Sequence, residues 1–208
     1  MVTSVYLIRH GDYDHRPSAL GDSASDFGLT DLGRRQVLAL RDRLEHAGEI
    51  QAEALYCSTL PRARQTADLI GPILGQRPVE MPELREWQNG NDAIGLEKFM
   101  ATWHALPVGH RPKHRFGPSF ESAAEFGLRV RLKLATLIAA HQDQTIVLVV
   151  HGGVIEAAFS YFVSVDRSHF EGSYPAAGQT SLTLWRECAQ RKQWVQEYAN
   201  DTHHLREL

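Results

Sequence analysis

Short apolar runs alternate with longer amphipathic stretches along this chain. Runs of valine, isoleucine and leucine without a polar break are typical of strands buried on both faces, as in a parallel sheet. Strands are predicted at residues 2–8, 52–57, 145–150, 181–185 and 193–198. Because strands and helices alternate, the pattern indicates an α/β fold around a largely parallel sheet, to which the last two strands add an antiparallel edge.

Helix start and stop signals lie between these strands. A hydroxyl residue before an apolar stripe favours a helix start, and a glycine after the stripe favours its end. The predicted caps are Thr30, Thr59 and Ser122, and the predicted stops are Gly48 and Gly75. Ser122 and Glu125 also have the spacing of a capping box. Further helical patterns cover residues 96–103 and 154–162.

Two segments show neither the apolar runs of a strand nor a sustained apolar stripe of a helix. Residues 11–28 are rich in aspartate, serine and glycine and predict a loop of unusual length, a feature that is often functional. Residues 78–118 hold only a short helical pattern, which is followed by Pro107, Gly109, Pro112 and Pro118. We expect one domain over residues 1–208, with a lid-like insertion at about residues 78–120 that could cover a site.

Composition narrows the class of protein. The 208 residues suit one domain, and a hydrophobic content of 43% can fill its core. The formal charge of −3 offers no basic excess for nucleic acid. Cys57 and Cys188 form no metal-type spacing, and the apolar run near the first residue is too short for a signal peptide or a membrane span. We expect a soluble, cytoplasmic protein.

Charged residues directly follow three of the predicted strands. Arg9 and His10 follow the first, Arg62 lies in the helix turn after the second, and His151 follows the strand at residues 145–150. The carboxyl ends of parallel strands meet at one edge of a sheet, where α/β proteins bind ligands. We therefore expect these arginines and histidines to converge.

Such a convergence would suit a doubly charged anion. Guanidinium groups match phosphate oxygens, helix N-termini add positive potential, and a neutral imidazole can attack phosphorus. Gly11 leaves room for close approach to the backbone. Taken singly, His10 could be a loop histidine bonded to a carbonyl, His151 a core histidine and Arg62 a solvated arginine. The hypothesis gains its weight from their equivalent positions at strand ends.

Five motifs resemble those of the histidine phosphatase (phosphoglycerate mutase-like) superfamily, in the expected order over almost the whole chain. They are the Arg-His-Gly motif at residues 7–11, the Leu-Thr-x-x-Gly-x-x-Gln helix start at 29–36, the second arginine motif at 58–67, the second histidine motif at 149–155 and the tail at 200–205, which is common in the phosphatase branch. The resemblance implies a three-layer α/β/α sandwich of the phosphoglycerate mutase-like fold.

The resemblance also implies roles for individual residues. His10 would be the nucleophile, His151 would complete the phosphate pocket as a second catalytic histidine, and Arg9, Arg62 and Gly11 would bind the substrate. No metal and no other cofactor is implied. The other histidines named here lack metal spacing and are expected to be solvated: His104, His110, His114, His203 and His204.

The acid of the family is expected at Glu86, which stands in a Leu-x-Glu-x-x-x-Gly context from Leu84 to Gly90. It would protonate the leaving alkoxide and then activate water against the phosphohistidine. Glu83 is a competitor three residues earlier. The spacing to Gly90 favours Glu86.

Several residues depart from the mutase pattern. Tyr13 and Arg16 stand where phosphoglycerate mutases have serine and asparagine, which argues against a dedicated mutase. Arg16 could touch phosphate or an anionic leaving group, or it could face solvent from the loop. The basic run at residues 110–115 could steer an anionic substrate or form an ordinary charged loop. Aromatic residues could line an apolar leaving-group pocket or pack in a core, namely Trp87, Trp103 and Phe116.

The resemblance predicts a metal-independent phosphomonoesterase, that is, a histidine acid-type phosphatase that acts through a phosphohistidine on a small phosphorylated metabolite. A mutase-type phosphotransferase and a protein phosphohistidine phosphatase remain open alternatives. A non-catalytic phosphate-binding protein ranks last because Arg9, His10, Arg62 and His151 are all present. Neither nucleic acid nor a membrane is expected as a partner, and no oligomeric state is predicted.

Overall fold

The computed structural model describes residues 2–15, 26–88, 94–165, 175–188, 190 and 193–208. Its strands are Ser4–Arg9 (β1), Tyr13–His15 (β2), Asp26–Leu29 (β3), Ala54–Ser58 (β4), Val79–Met81 (β5), Thr145–Val150 (β6), Leu182–Cys188 (β7) and Gln193–Asp201 (β8). Its α-helices are Asp31–Ala47 (α1), Pro61–Ile70 (α2), Leu96–Ala105 (α3), Ala123–Ala140 (α4) and Gly152–Phe162 (α5).

The main sheet has six strands in the order β5-β4-β6-β1-β7-β8. β1 lies near its centre, parallel to β6 with Leu7 beside Leu148, and antiparallel to β7 with Leu7 beside Thr183. β4 pairs in parallel with both β5 and β6, whereas β7 and β8 are antiparallel. The predicted sheet, largely parallel with an antiparallel edge, is confirmed.

The two faces of this sheet are covered by different helices. Successive side chains of β1 point to opposite faces, so Val5 and Leu7 pack with α4 and α5, while Tyr6 and Ile8 pack with α1 and α2. All of these side chains are buried. Burial stabilises the fold by about 1.5–3 kcal/mol for each large aliphatic side chain among them. The three-layer α/β/α sandwich is confirmed.

Local signals set both ends of α1 and the start of α4. The Thr30 hydroxyl accepts the N–H of Gly33 at 3.0 Å, and Gly48 ends α1 in the left-handed conformation with a φ of 57°. Ser122 and Glu125 form the complete capping box of α4. These predictions are confirmed because each cap bonds to a main-chain group only a few residues away.

The helix α2 begins at Pro61 as predicted, but its predicted cap and its predicted end are wrong. Its start has no side-chain cap, because the N-cap position is taken by Leu60; Thr59 lies one residue earlier, where its hydroxyl accepts a hydrogen bond from Arg85. The helix ends at Ile70 rather than at Gly75. Pro72 has no N–H with which to continue the helical hydrogen-bond ladder, and the chain goes on as turns.

Three strands lie where the sequence predicts a loop or an insertion. β2 and β3 pair antiparallel at the two ends of the predicted loop, with Tyr13 beside Leu29. β5 is an edge strand of the main sheet, so the segment that starts at residue 78 begins inside that sheet. Residues 16–25 between β2 and β3, and with them Arg16, lie outside the described residues.

Residues 82–88 and 94–120 pack against the sandwich through an aromatic cluster. The ring of Trp87 stacks on Phe126, with centroids 6.4 Å apart, and meets the rings of Phe99 and Trp103 edge-on. Phe116 lies 4.5 Å from Phe99. These aromatic side chains therefore pack on one another in a small cluster, and a part for them in a leaving-group pocket stays a prediction.

The remaining helical patterns are also confirmed. α3 covers the pattern at residues 96–103, and α5 covers the apolar pattern at residues 154–162. Across the described ranges, no helix is both long and apolar enough to cross a membrane.

Candidate active site

The carboxyl edge of the parallel strands brings the predicted arginines and histidines together. Arg9 is the last residue of β1, His10 follows it, Arg62 lies in the first turn of α2, and His151 follows β6. The Nε atom of Arg62 lies 3.0 Å from Nε2 of His10. The rings of His10 and His151 have centroids 5.0 Å apart. The predicted convergence therefore occurs.

The hydrogen bonds of His10 define which ring nitrogen carries the proton. Its Nδ1 lies 2.7 Å from the carbonyl oxygen of Gly11, which can only accept, so Nδ1 is the protonated nitrogen. Nε2 then holds a lone pair and accepts the N–H of Arg62. Burial lowers the pKa of His10 well below its ordinary value, and the charge of Arg62 lowers it further. His10 is thus a neutral imidazole with its lone pair on Nε2.

Gly11 supports this arrangement through its main chain. Its carbonyl accepts from His10, and its N–H donates to the Thr66 hydroxyl at 3.2 Å. A Cβ at this position would lie 2.8 Å from the carbonyl oxygen of Gly33, so the close approach that requires glycine is to α1. Gly11 therefore orients His10, and its expected contact with substrate stays a prediction.

Arg62 is held by two residues that the sequence analysis does not identify as partners of the site. Its Nη1 donates to the carboxylate of Asp26 at 2.7 Å, and both side chains are less than a tenth exposed. The ring of Tyr13 lies 4.3 Å from the guanidinium carbon of Arg62 and edge-on to His10 at 5.3 Å. The strands β2 and β3 thus contact both Arg62 and His10. No local sequence signal links Asp26 to Arg62, because the two lie on different elements.

Arg9 and His151 have polar atoms without partners. His151 is fully buried, and neither of its ring nitrogens has a hydrogen-bond partner in the described part of the chain. Arg9 donates from Nη1 to the carbonyl of Ala177, but its buried Nε has no acceptor there. Burial lowers the pKa of both side chains, that of His151 strongly. Buried polar groups of this kind need a partner, and an anion between them would supply one.

The two candidate acids lie in different surroundings. One carboxylate oxygen of Glu86 accepts the N–H of Gly153 at the start of α5 at 3.0 Å, and the other accepts the N–H of Trp87 at 2.8 Å. Glu83 instead pairs with Lys133 at 2.9 Å, and the hydrogen bond from Lys133 lowers the pKa of Glu83. Glu86 therefore lies beside the histidine-bearing loop, whereas Glu83 does not contact it. Gly90, whose spacing favoured Glu86, is outside the described residues.

The contact between Glu86 and Gly153 predicts unequal effects of two adjacent substitutions. A Cβ at Gly153 would lie 2.3 Å from Oε1 of Glu86, whereas a Cβ at Gly152 would lie 3.8 Å from the nearest atom of Arg9. Gly153→Ala is expected to displace the carboxylate and to lower kcat by about tenfold or more, whereas Gly152→Ala changes it little. Steady-state kinetics of the matched pair checks this, and equal rates for both variants would contradict it.

The buried histidines predict how stability depends on pH. Folding lowers the pKa of His10 and His151 below the unfolded value, so below about pH 6.5 the unfolded chain binds more protons than the native one. The free energy of unfolding is then expected to fall as pH drops from 6.5 to 5, with a slope for each histidine that rises from about half to nearly all of the limiting value of about 1.4 kcal/mol per pH unit. Urea unfolding across this window measures the slope. A His10→Ala variant should give a shallower slope, and an unchanged slope would contradict the assignment.

The tail at residues 200–205 supports the loop that contacts Arg9. The Asn200 side chain accepts the N–H of Gly178 at 2.6 Å, and Nε2 of His204 lies 2.9 Å from the Thr180 hydroxyl. Thr180 in turn donates its N–H to the carbonyl of His10 at 3.3 Å. Burial lowers the pKa of His204 to about 4. The expectation that His204 is solvated is therefore wrong.

The other histidines of the sequence analysis lie at or near the surface. His104, His110 and His203 are exposed, and His114 packs edge-on against Phe116. In the described ranges, no group of three or more histidine, cysteine, aspartate or glutamate side chains could hold a metal ion.

The family match and the named relatives indicate a class of protein: a phosphatase or phosphotransferase of the histidine phosphatase type. A family model described as "Histidine phosphatase superfamily (branch 1)" matches residues 5–202. The chain belongs to this superfamily, as the motifs predicted.

Individual relatives carry both phosphatase and mutase names. The chain is 28% identical over 159 residues to "Uncharacterized phosphatase PhoE" of Bacillus subtilis, with 75% of each chain covered. It is 26% identical over 219 residues to "Probable phosphoglycerate mutase GpmB" of Proteus mirabilis, covering 98% of this chain and 95% of the relative. Among solved structures, phosphoserine phosphatase from Entamoeba histolytica in complex with 3-phosphoglyceric acid shares the fold with a TM-score of 0.75 and 21% identity, covering 98% and 99% of the two chains.

Proposed function

We propose that the protein is a metal-independent phosphomonoesterase that acts through a phosphohistidine on a small phosphorylated metabolite. The observation that supports this best is the state of His10. Its ring is buried, its Nδ1 proton is held by Gly11, and its Nε2 lone pair lies next to Arg62. A neutral, oriented imidazole beside positive charge is what attack on a phosphate ester requires.

The first half of the reaction transfers the phosphoryl group to His10. The phosphate dianion binds between Arg9 and Arg62, whose charges match those that develop on the transferring group. The hydrogen bond from Arg62 to Nε2 of His10 breaks in this step, because the lone pair that accepts it is the one that attacks phosphorus. The Nε2–P bond forms, the P–O bond to the leaving group breaks, and Glu86 gives its proton to the leaving oxygen. His151 supplies a second uncharged ring next to the nucleophile.

The second half regenerates the enzyme. A water molecule gives a proton to the Glu86 carboxylate as its oxygen bonds to phosphorus. The Nε2–P bond breaks, its electron pair returns to His10, and inorganic phosphate leaves. No metal takes part in either half of this scheme, because the two arginines supply the positive charge.

Hydrolysis is favoured over phosphotransfer by what surrounds His10. The bulky ring of Tyr13 lies against both His10 and Arg62, at the position where mutases have serine. The similar proteins with phosphatase names fit the same proposal, and one of the solved structures holds 3-phosphoglyceric acid. A small phosphorylated carboxylic acid is therefore a sensible first substrate to test.

The test separates hydrolysis from transfer. The protein is incubated in chelator with para-nitrophenyl phosphate, phosphoserine and 3-phosphoglycerate, each with and without a bisphosphate primer, and inorganic phosphate is measured. We expect phosphate release that needs no primer and survives the chelator. Primer-dependent interconversion of phosphoglycerates without phosphate release would favour the mutase. Binding of vanadate without turnover of any ester would favour a non-catalytic protein.

A further inference from the structure

We propose that Arg129 and Glu121 are positioning residues that hold the main chain around Glu86, so that its carboxylate stays against the N–H of Gly153. This inference rests on the proposed function, because it concerns the proton transfer assigned to Glu86. Among the described residues, neither Arg129 nor Glu121 makes a hydrogen bond to His10, Arg9 or Arg62. Their proposed effect on the reaction passes through the backbone, beside a smaller direct influence: burial lowers the pKa of His151, and the Arg129 charge lowers it further.

Glu86 needs such support because it lies outside any helix or strand. It follows a short 3₁₀ turn, Pro82–Leu84, and no strand ladder or helix bonds its main chain. Groups that transfer protons must be held within a fraction of an ångström, and irregular backbone is fixed only by bonds from elsewhere. Those bonds come from α4.

Arg129 on α4 binds the carbonyl oxygens on the N-terminal side of this segment. Its Nη1 donates to the carbonyls of Glu83 at 2.7 Å and Arg85 at 3.1 Å, and its Nη2 lies 3.5 Å from the carbonyl of Glu86. A guanidinium presents its donors in a rigid plane, so carbonyls that share one guanidinium are fixed relative to each other. The turn that carries Glu86 thereby takes its shape from Arg129.

Glu121 fixes the other side of Glu86 and orients Arg129. Its two carboxylate oxygens accept from Arg129, at 2.5 Å from Nη2 and 3.1 Å from Nε. The same carboxylate accepts the N–H of Gln88, and the Glu121 carbonyl accepts the indole N–H of Trp87 at 3.0 Å. The side chains of Glu121 and Arg129 are only 19% and 23% exposed, so solvent screens this pair less than a surface salt bridge. The chain is thus held on both sides of Glu86.

The proposal predicts a kinetic signature that a purely structural role does not. If Arg129 acts through Glu86, Arg129→Met should slow alkyl phosphates, whose leaving oxygen needs a proton, at least about tenfold more than para-nitrophenyl phosphate. Arg129→Lys keeps the charge but offers a single amino group, so its loss should be intermediate. Glu121→Gln should show the same selectivity to a smaller degree. The matched control is Arg131→Met, an exposed arginine on the same helix, which should change neither rate.

The experiment measures kcat/KM for a series of esters with graded leaving groups, for each variant alone and in a Glu86→Gln background. Thermal melting checks that each variant is folded, and Arg129→Lys and Glu121→Gln carry the test if Arg129→Met does not fold. In the Glu86→Gln background, Arg129→Met should lower kcat/KM by less than about a further twofold, because the carboxylate that Arg129 positions is already absent. This non-additivity supports the proposal.

Two results separate failure of this inference from failure of the proposed function. If Arg129→Lys and Glu121→Gln slow all esters equally while Glu86→Gln is selective for poor leaving groups, the positioning role is overturned and the phosphatase proposal stands. If Glu86→Gln itself shows no selectivity, the assignment of the acid fails, and the positioning role fails with it.

Discussion

Replacing His10 by alanine is expected to abolish phosphate release, with kcat lowered at least about 1,000-fold. The reason is that Nε2 of His10 is the nucleophile of the proposed reaction. The hydrogen bond from Nδ1 to the Gly11 carbonyl keeps the ring proton on Nδ1, so the lone pair stays on Nε2. Vanadate should still bind, because Arg9 and Arg62 remain. The measurement is steady-state hydrolysis of para-nitrophenyl phosphate in chelator. Rapid quenching with labelled substrate is the second measurement, and it should trap an acid-labile phosphoenzyme in the wild type but not in His10→Ala.

The matched control for this substitution is His203→Ala, since His203 is an exposed histidine with no contact to the site. It should keep full activity and the trapped phosphoenzyme. Turnover that survives in His10→Ala would mean that water attacks phosphorus directly. A phosphoenzyme that is stable in acid would point to a nucleophile other than histidine.

Glu86→Gln is expected to slow alkyl phosphates by about 100-fold or more and para-nitrophenyl phosphate by less than about tenfold. A poor leaving group departs as an alkoxide unless it receives a proton, whereas nitrophenolate needs little help. Both carboxylate oxygens of Glu86 accept main-chain N–H groups, and the glutamine amide can keep only one of these hydrogen bonds, so thermal melting has to show that the variant is folded. Rates with a graded series of esters measure the effect.

Glu83→Gln is the matched control for Glu86→Gln. The two residues lie three positions apart, but the Glu83 side chain pairs with Lys133. Its loss should leave the dependence on leaving group unchanged. Selectivity that appears in Glu83→Gln and not in Glu86→Gln would exchange the two assignments.

The features that could be predicted from the sequence are those set by neighbouring residues or by the strand-end rule. Thr30 and Gly48 bound α1 as predicted, because their bonds are local. The placement of His10 and His151 followed from the parallel order of the strands, without any knowledge of their contacts. Thr59 is not the cap of α2, because the helix has Leu60 at its N-cap position and the Thr59 hydroxyl binds Arg85 instead.

The features that could not be predicted depend on contacts between distant segments. β5 has the sequence Val-Glu-Met and lies at the edge of the sheet, where its side chains are mostly exposed. It therefore has no apolar run from which a strand could be predicted. Asp26 reaches Arg62 only once the hairpin of β2 and β3 lies on α2. Glu121 and Arg129 flank the start of α4 with no spacing that marks them as partners of Glu86. Supporting residues of a site therefore escape sequence reasoning more readily than its reactive ones.

The central position of β1 has a consequence for how the chain reaches this fold. Its parallel partner is β6, at residues 145–150, and its antiparallel partner is β7, whose pairing residues run from 182 to 186. During synthesis an apolar strand thus leaves the ribosome long before either neighbour exists. Such non-local pairing slows folding and leaves an apolar, aggregation-prone strand unpaired during synthesis. Chaperones protect segments of this kind. A chain halted before residue 181 would also lack the carbonyl of Ser181 that accepts the N–H of Arg9, so the anion pocket could be completed only late in synthesis.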